Sequence, residues 1–245
     1  MNSNEQSLEV WGDLACFTRP EMKVERFSYP VMTPSAARGI FDAIYCKPNE
    51  FRWQVTGIEV CKPIQWIALR RNEVEGVAST KDAEQWMRGN KSPVSILADE
   101  QRQQRQTMAL RDVCYRLRAR AVPWPGFETS LTGIEKQFQR RVEHGKCFFQ
   151  PYFGCREFPA YFSPIQGEDP PQAIDIPIGP MLYDVFDLSQ PNENDAPPFI
   201  SIFHADVRRG SLTWMDAPDG AGVPDWSSPA VLKPPKESRH AAPRQ

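Results

Sequence analysis

Apolar and polar positions change their period several times along the chain. Residues 7–17, SLEVWGDLACF, are dense in apolar and aromatic side chains and predict a first strand. A polar loop follows, carrying Arg19, Lys23 and Arg26. Next, Ala37, Ile40, Phe41 and Ile44 recur at i, i+3, i+4 and i+7, which predicts a helix with one buried face. Thr33 supplies an N-cap oxygen, and Pro34 fills the first helical position, where its missing N–H costs nothing. Lys47-Pro48 stops the helix, because a residue before proline avoids helical angles. Arg38, Asp42 and Tyr45 share another face of that helix.

A strand pattern returns at 55–67, and the charged stretch 70–100 reads as a long loop or insertion. Residues 101–110 are compatible with a short helix. From 113 to 121 the chain alternates: Val113, Tyr115, Leu117, Ala119 and Ala121 face one way, and Cys114, Arg116, Arg118 and Arg120 the other. A second helix is predicted over 133–144. Ile134, Phe138 and Val142 form its apolar stripe, Lys136, Arg140 and His144 a basic one, and Gly145 its stop. Residues 146–163 are aromatic-rich and read as two short strands or a hairpin. Further strands are expected at 181–188, 198–205 and 211–215, and a disordered, proline-rich tail from 218 to 245. The order strand–helix–strand, loop, strand–helix–strand is that of an α+β, ferredoxin-like fold. The expected organisation is a ferredoxin-like domain over 1–165 with an insertion at about 70–100, then a small β region over 166–217.

Composition narrows the function. No apolar run approaches the roughly 18 residues of a membrane span, and MNSNEQSLEV has no secretory character, so a cytoplasmic protein is expected. The six cysteines include no C-x-x-C pair, and buried free thiols are the reading. The three histidines include no H-x-x-x-H or H-x-E element, so no metal or cofactor is expected. The net charge of −2 hides an uneven distribution. Residues 102–120 hold six arginines and one acid, whereas 167–195 hold seven acids and no base. That basic stretch reads either as an anion-binding surface or as a solvated charged face.

The segment VWGDLACFTRPEMKVERFSYPVMTPSAARGIFDAIYCKP (10–48) resembles the N-terminal motif of the CRISPR-associated RAMP proteins of the Cas-five family, Dvulg subtype, from type I-C systems. RRNEV (70–74), RQQRQTMALRDV (102–113) and FQRRVEHGKCFFQPYFGCREFPAYF (138–162) resemble the same family in the same order. The resemblance covers roughly residues 8–75 and 100–165. It implies a ferredoxin-like RAMP domain with a smaller C-terminal β region. It also implies binding of the CRISPR RNA repeat stem-loop and 5′ handle, and metal-independent endoribonuclease cleavage of the precursor. The implied partners are CRISPR RNA, the backbone and large subunits of the interference complex and, through that complex, target DNA.

Such cleavage needs a base for the 2′-hydroxyl, a cation for the phosphorane and a proton for the leaving oxygen. The family's tyrosine at the end of the first helix maps onto Tyr45; a phenol is a weak acid and needs basic neighbours to act as a base. The family's Lys-His pair lies five and four residues before the position of Phe138, where this chain has Gly133 and Ile134. Lys136 and His144 are the nearest replacements, about 12 Å apart along the helix. Two readings stay open: a nuclease using Tyr45, Lys136 and His144, or a non-catalytic subunit that grips the handle. A small-molecule enzyme finds no phosphate-binding glycine loop to support it. Candidate RNA-binding residues are Lys23, Arg26, Arg38, Lys47, Arg116, Arg118, Arg120, Arg140 and Arg141. Among Phe148, Phe149, Tyr152 and Phe153, one is expected to stack on an unpaired base and the rest to be core.

Overall fold

A computed structural model describes residues 4–22, 24–74, 79–90, 102–124, 126–127, 130–167, 169–188 and 199–214. The first strand, β1 (Gln6–Ala15), buries Leu8 and Val10 on one face. The two-residue β2 (Arg26–Phe27) precedes α1 (Pro34–Ile44). Helix α1 begins as its sequence requires: the Thr33 hydroxyl accepts from the Ala36 N–H at 3.2 Å, and Ala37, Ile40, Phe41 and Ile44 are buried.

The run expected as one strand at 55–67 is two strands, β3 (Phe51–Val60) and β4 (Trp66–Val74). The stretch 70–100 is not all loop: β4 extends to Val74, and α2 (Thr80–Met87) follows an N-cap Ser79. Residues 102–110 are not helical. They open β5 (Arg102–Pro123), a 22-residue strand. Their polar side chains set no period, and the nine-residue ladder with β4, from Trp66 opposite Leu110 to Val74 opposite Arg102, decides their conformation. The second helix in the predicted order, α3 (Leu131–Glu143), starts at N-cap Ser130 and buries Ile134, Phe138 and Val142. In the aromatic stretch only β6 (Tyr161–Ser163) is a strand; Tyr152 and Pro159 form an isolated bridge. The chain ends, within the described residues, in β7 (Ile176–Asp184), β8 (Ser201–Arg208) and β9 (Ser211–Trp214). The predicted tail at 218–245 lies outside the described residues.

The architecture is α+β: a mostly antiparallel sheet with few helices. The strand order is β6-β1-β5-β3-β9-β8-β7, with β2 and β4 pairing β5 off that path. β1 and β3 both run antiparallel to β5, so they are parallel to each other, with α1 as their crossover. β5 and β6 both run antiparallel to β1, with α3 as theirs. Two split βαβ units therefore interleave. Among the described residues no helix is long and apolar enough to cross a membrane.

Both crossover helices pack over Trp53. Its ring lies 5.2 Å from that of Phe41 and 4.8 Å from that of Phe138, which in turn stack on each other at 5.2 Å. The indole N–H donates to the Tyr45 carbonyl at 2.7 Å, so the core fixes where the chain leaves α1.

Arg38 ties α1 to β7. Its Nε and Nη2 donate to the Asp184 carboxylate at 2.7 and 3.0 Å, and Nη1 reaches Asp42. Asp184, 1% exposed, also accepts the N–H groups of Val185 and Phe186 at 2.7 and 3.1 Å. Arg38→Met leaves that carboxylate buried without its cation, which costs about 3–5 kcal/mol, or a fall in Tm of roughly 6–20 °C. Lys47→Ala, which breaks an exposed pair with Glu50, leaves Tm nearly unchanged. Thermal denaturation of the two variants checks both expectations.

Candidate active site

The C-terminal ends of α1 and α3 meet at Tyr45, the C-cap of α1. Its backbone turns extended there, with φ −156° and ψ 119°. The Tyr45 ring lies 6.0 Å from Phe51 and stacks on Phe148 at 6.2 Å. Arg141 of α3 covers this pair: its guanidinium carbon is 5.4 Å from the Tyr45 centroid and 4.1 Å from that of Phe148. Its Nη1 donates to the Ile44 carbonyl at 3.1 Å, at the negative pole of α1. The Phe148 N–H donates to the Ala43 carbonyl at 2.7 Å. One arginine and one backbone bond thus clamp the loop after α3 onto the end of α1.

The Tyr45 hydroxyl makes no hydrogen bond among the described residues, so its proton and lone pairs are available to a ligand. Two cations bear on the ring. Arg141 lies against it, and Lys47 follows two residues on, exposed and hydrogen-bonded to Glu50 at 3.0 Å. The Glu50 carboxylate holds the Lys47 ammonium above the usual lysine range. Beside the helix end, Cys46, Pro48, Arg52, Trp124 and Phe186 line a cleft of about 210 Å³. Such a combination of one free phenol, two cations and aromatic faces suits an unpaired, phosphate-bearing chain.

Lys136 and His144 are placed differently. Lys136 is exposed, and helical periodicity sets it about 140° around α3 from Arg141. His144 caps α3, its Nδ1 2.7 Å from the Arg140 carbonyl. Ile134 is core, and the Gly133 N–H is held by the Ser130 hydroxyl at 3.2 Å. The cation stacked on Tyr45 is therefore Arg141, which lies further along α3 than the Gly133-Ile134 and Lys136 positions that the family pattern pointed to.

The arginine-lined strand face exists, but acids from its neighbours meet it. Arg116 Nε bonds Glu9 at 3.3 Å, Arg118 bonds Glu59 at 2.7 Å, and Arg120 lies 3.9 Å from Glu5. Arg26 contacts Glu73, Glu157 and the Cys155 sulfur. Arg38 is enclosed by Asp184 and Asp42, which take up its Nε, Nη1 and Nη2. Arg140 is exposed, and its guanidinium bonds Gln137 at 3.1 Å. Lys23 lies outside the described residues. Of the four aromatics, Phe153 is fully buried and Tyr152 half-buried, whereas Phe148 and Phe149 are 55% and 51% exposed. The basic window at 102–120 did not reveal these pairings because Glu5, Glu9 and Glu59 lie far from it in sequence.

The fold and this junction define a class: an α+β protein with a tyrosine and an arginine joined at the ends of two crossover helices. Comparison with known proteins names it more narrowly. A family model described as CRISPR-associated protein (Cas_Cas5) matches residues 7–220, and the chain belongs to that family. The CRISPR pre-crRNA endoribonuclease Cas5d of Thermus thermophilus is 39% identical over 225 residues, covering 86% of this chain and 90% of its own. The protein of the same name from Mannheimia succiniciproducens is 44% identical over 171 residues, 69% of this chain and 76% of its own. A solved CRISPR-associated protein shares the fold with a TM-score of 0.61 at 22% identity, over 87% of this chain and 93% of its own.

Arg141→Ala removes the hydrogen bond to Ile44 and the cation over both rings, and is expected to cost about 1–3 kcal/mol. Arg141→Lys restores the charge without the planar contact and recovers only part of that loss. Urea denaturation of the three proteins measures it.

Proposed function

We propose that this chain is a metal-independent endoribonuclease that cuts precursor CRISPR RNA within its repeat and keeps the 5′ handle as a subunit of a type I-C interference complex. The observation that carries the reading is the identity of 39% over nearly the full length of a protein named a pre-crRNA endoribonuclease. The Tyr45–Arg141 junction supports it, since it offers a phenol with an unengaged hydroxyl beside two cations.

In this reading the 2′-oxygen attacks the adjacent phosphorus and the bond to the 5′-oxygen breaks, leaving a cyclic phosphate and a 5′-hydroxyl. Tyr45 accepts or orients the 2′-hydroxyl proton. Arg141 and Lys47 balance the charge that grows on the phosphorane. Lys136 and His144 are the candidates to protonate the leaving oxygen. Lys47, Arg140 and Arg141 hold phosphates, and exposed Phe148 or Phe149 stacks an unpaired base.

The interleaved βαβ units, in the order β6-β1-β5-β3, support a ferredoxin-like domain over 1–165 with β7–β9 as a smaller appended region. The partners proposed are the repeat stem-loop and handle, the backbone and large subunits, and target DNA through the complex, in a cytoplasmic setting. A second reading, a non-catalytic handle-gripping subunit, is favoured by one observation: Gly133 and Ile134 offer no titratable group where the family has its Lys-His pair.

Cleavage of the cognate repeat RNA in excess EDTA separates the two. A single cut at the 3′ base of the stem, blocked by a 2′-deoxy nucleotide there, is expected; tight binding without a cut supports the second reading. Tyr45→Phe should slow cleavage by about 10²-fold or more while leaving affinity within about twofold. Unchanged cleavage removes Tyr45 from the chemistry. Arg140→Ala should weaken binding and lower the slope of log K against log salt by about 0.7–0.9. Filter binding at several salt concentrations reads that slope.

A further inference from the structure

We propose that Glu9, Cys61 and Cys114 form a binding site for a zinc-class divalent cation on the sheet face opposite the helices. One ligand atom from each lies within 4.8 Å of the other two. Strand register creates the cluster. Glu59 pairs with Arg116 and Val60 with Tyr115, so the next residue, Cys61, falls opposite Cys114; the Cys61 N–H donates to the Cys114 carbonyl at 2.9 Å. On the other side Trp11 pairs with Cys114 and Glu9 with Arg116, which sets Glu9 diagonal to Cys114 on the same face. β1, β5 and the residue that follows β3 thus supply one oxygen and two sulfurs.

The donor set selects the metal. Thiolates exclude magnesium and calcium and favour zinc and its relatives. With Zn–S near 2.3 Å, tetrahedral binding needs sulfurs about 3.8 Å apart, which falls inside the 4.8 Å that bounds the cluster. Cys114 is buried, and Cys61 and Glu9 are half-buried, so the strands close one side and leave a fourth position for water. Outer contacts steady the ligands: Arg116 Nε bonds Glu9 at 3.3 Å, and Gln172 donates to the Cys61 carbonyl at 3.2 Å. Two thiolates, a carboxylate and a dication sum to a single negative charge, which Arg116 offsets. Binding releases the two thiol protons to solvent. The site joins β1 and β5 to the chain leaving β3, apart from Tyr45, and does not depend on the cleavage reading.

The test uses the full chain, reduced with a non-chelating phosphine, stripped with EDTA and exchanged into metal-free buffer. Titration with Co²⁺ should raise a thiolate-to-cobalt charge-transfer band in the near ultraviolet that saturates at one equivalent and that Zn²⁺ abolishes. Cys61→Ser and Cys114→Ser should each lose the band, and Cys46→Ser and Cys147→Ser should keep it. Absence of the band in the wild-type chain, with no zinc retained through gel filtration, overturns the proposal. So does a band that survives Cys61→Ser. The wild-type titration needs no variant to fold.

Discussion

One strand, β5, forms ladders with four others, and that constraint arranges the molecule. At about 3.3 Å per residue its 22 residues span roughly 70 Å, longer than one sheet face needs. It divides at Asp112, whose φ of 51° bends the strand. The half before the bend pairs with β4, β2 and the end of β1, at Leu14 and Ala15; the half after it pairs with the rest of β1 and with β3 and lies under both crossover helices. Trp53, on β3, is aligned by that second half, and its indole N–H fixes the Tyr45 carbonyl. The position of the candidate catalytic phenol thus follows from strand register through one core side chain.

The charged groups divide by burial. Arg38 and Asp184 are an enclosed pair that locks α1 to β7, with burial pushing the neighbouring Asp42 carboxyl up despite the arginine beside it. The arginines on the outer face of β5 instead form a partly wet lattice with Glu5, Glu9 and Glu59. The pairs of Arg118 and Arg120, whose arginines are the more exposed, are worth little, and a phosphate chain can compete for those two. Arg141 belongs to neither group: its charge rests on two aromatic faces and a helix terminus, with its Nε buried and without a partner among the described residues.

What the sequence made legible was local. The cap, the proline and the apolar stripe of α1 lie within a dozen residues, as do the stripe and stop of α3. Alternation over 113–121 showed the buried and arginine faces of β5. The start of β5 did not show, because RQQRQ at 102–106 has no apolar period and only the facing β4 makes it a strand. The family resemblance points to Tyr45, and the sequence offers Arg141 as an RNA-binding cation, but the pairing of the two is not legible in it: the helical stripe Lys136–Arg140–His144 misses the ring by one residue, and only the packing of α3 on α1 sets Arg141 there. The Cys61–Cys114 juxtaposition depends on register across a 53-residue separation, which no spacing motif records.

The outer margins of the sheet carry their own message. β6 is only three residues long, and β7 has Pro177 and Pro180 in its run, with a bulge between Pro177 and Gly179. A proline has no N–H to offer a further strand, and a three-residue rim offers too short a template. The two ends of the path are therefore poor templates for pairing with a further strand. Pro177 and Pro180 thus place part of the chain's proline within a strand rather than in loops.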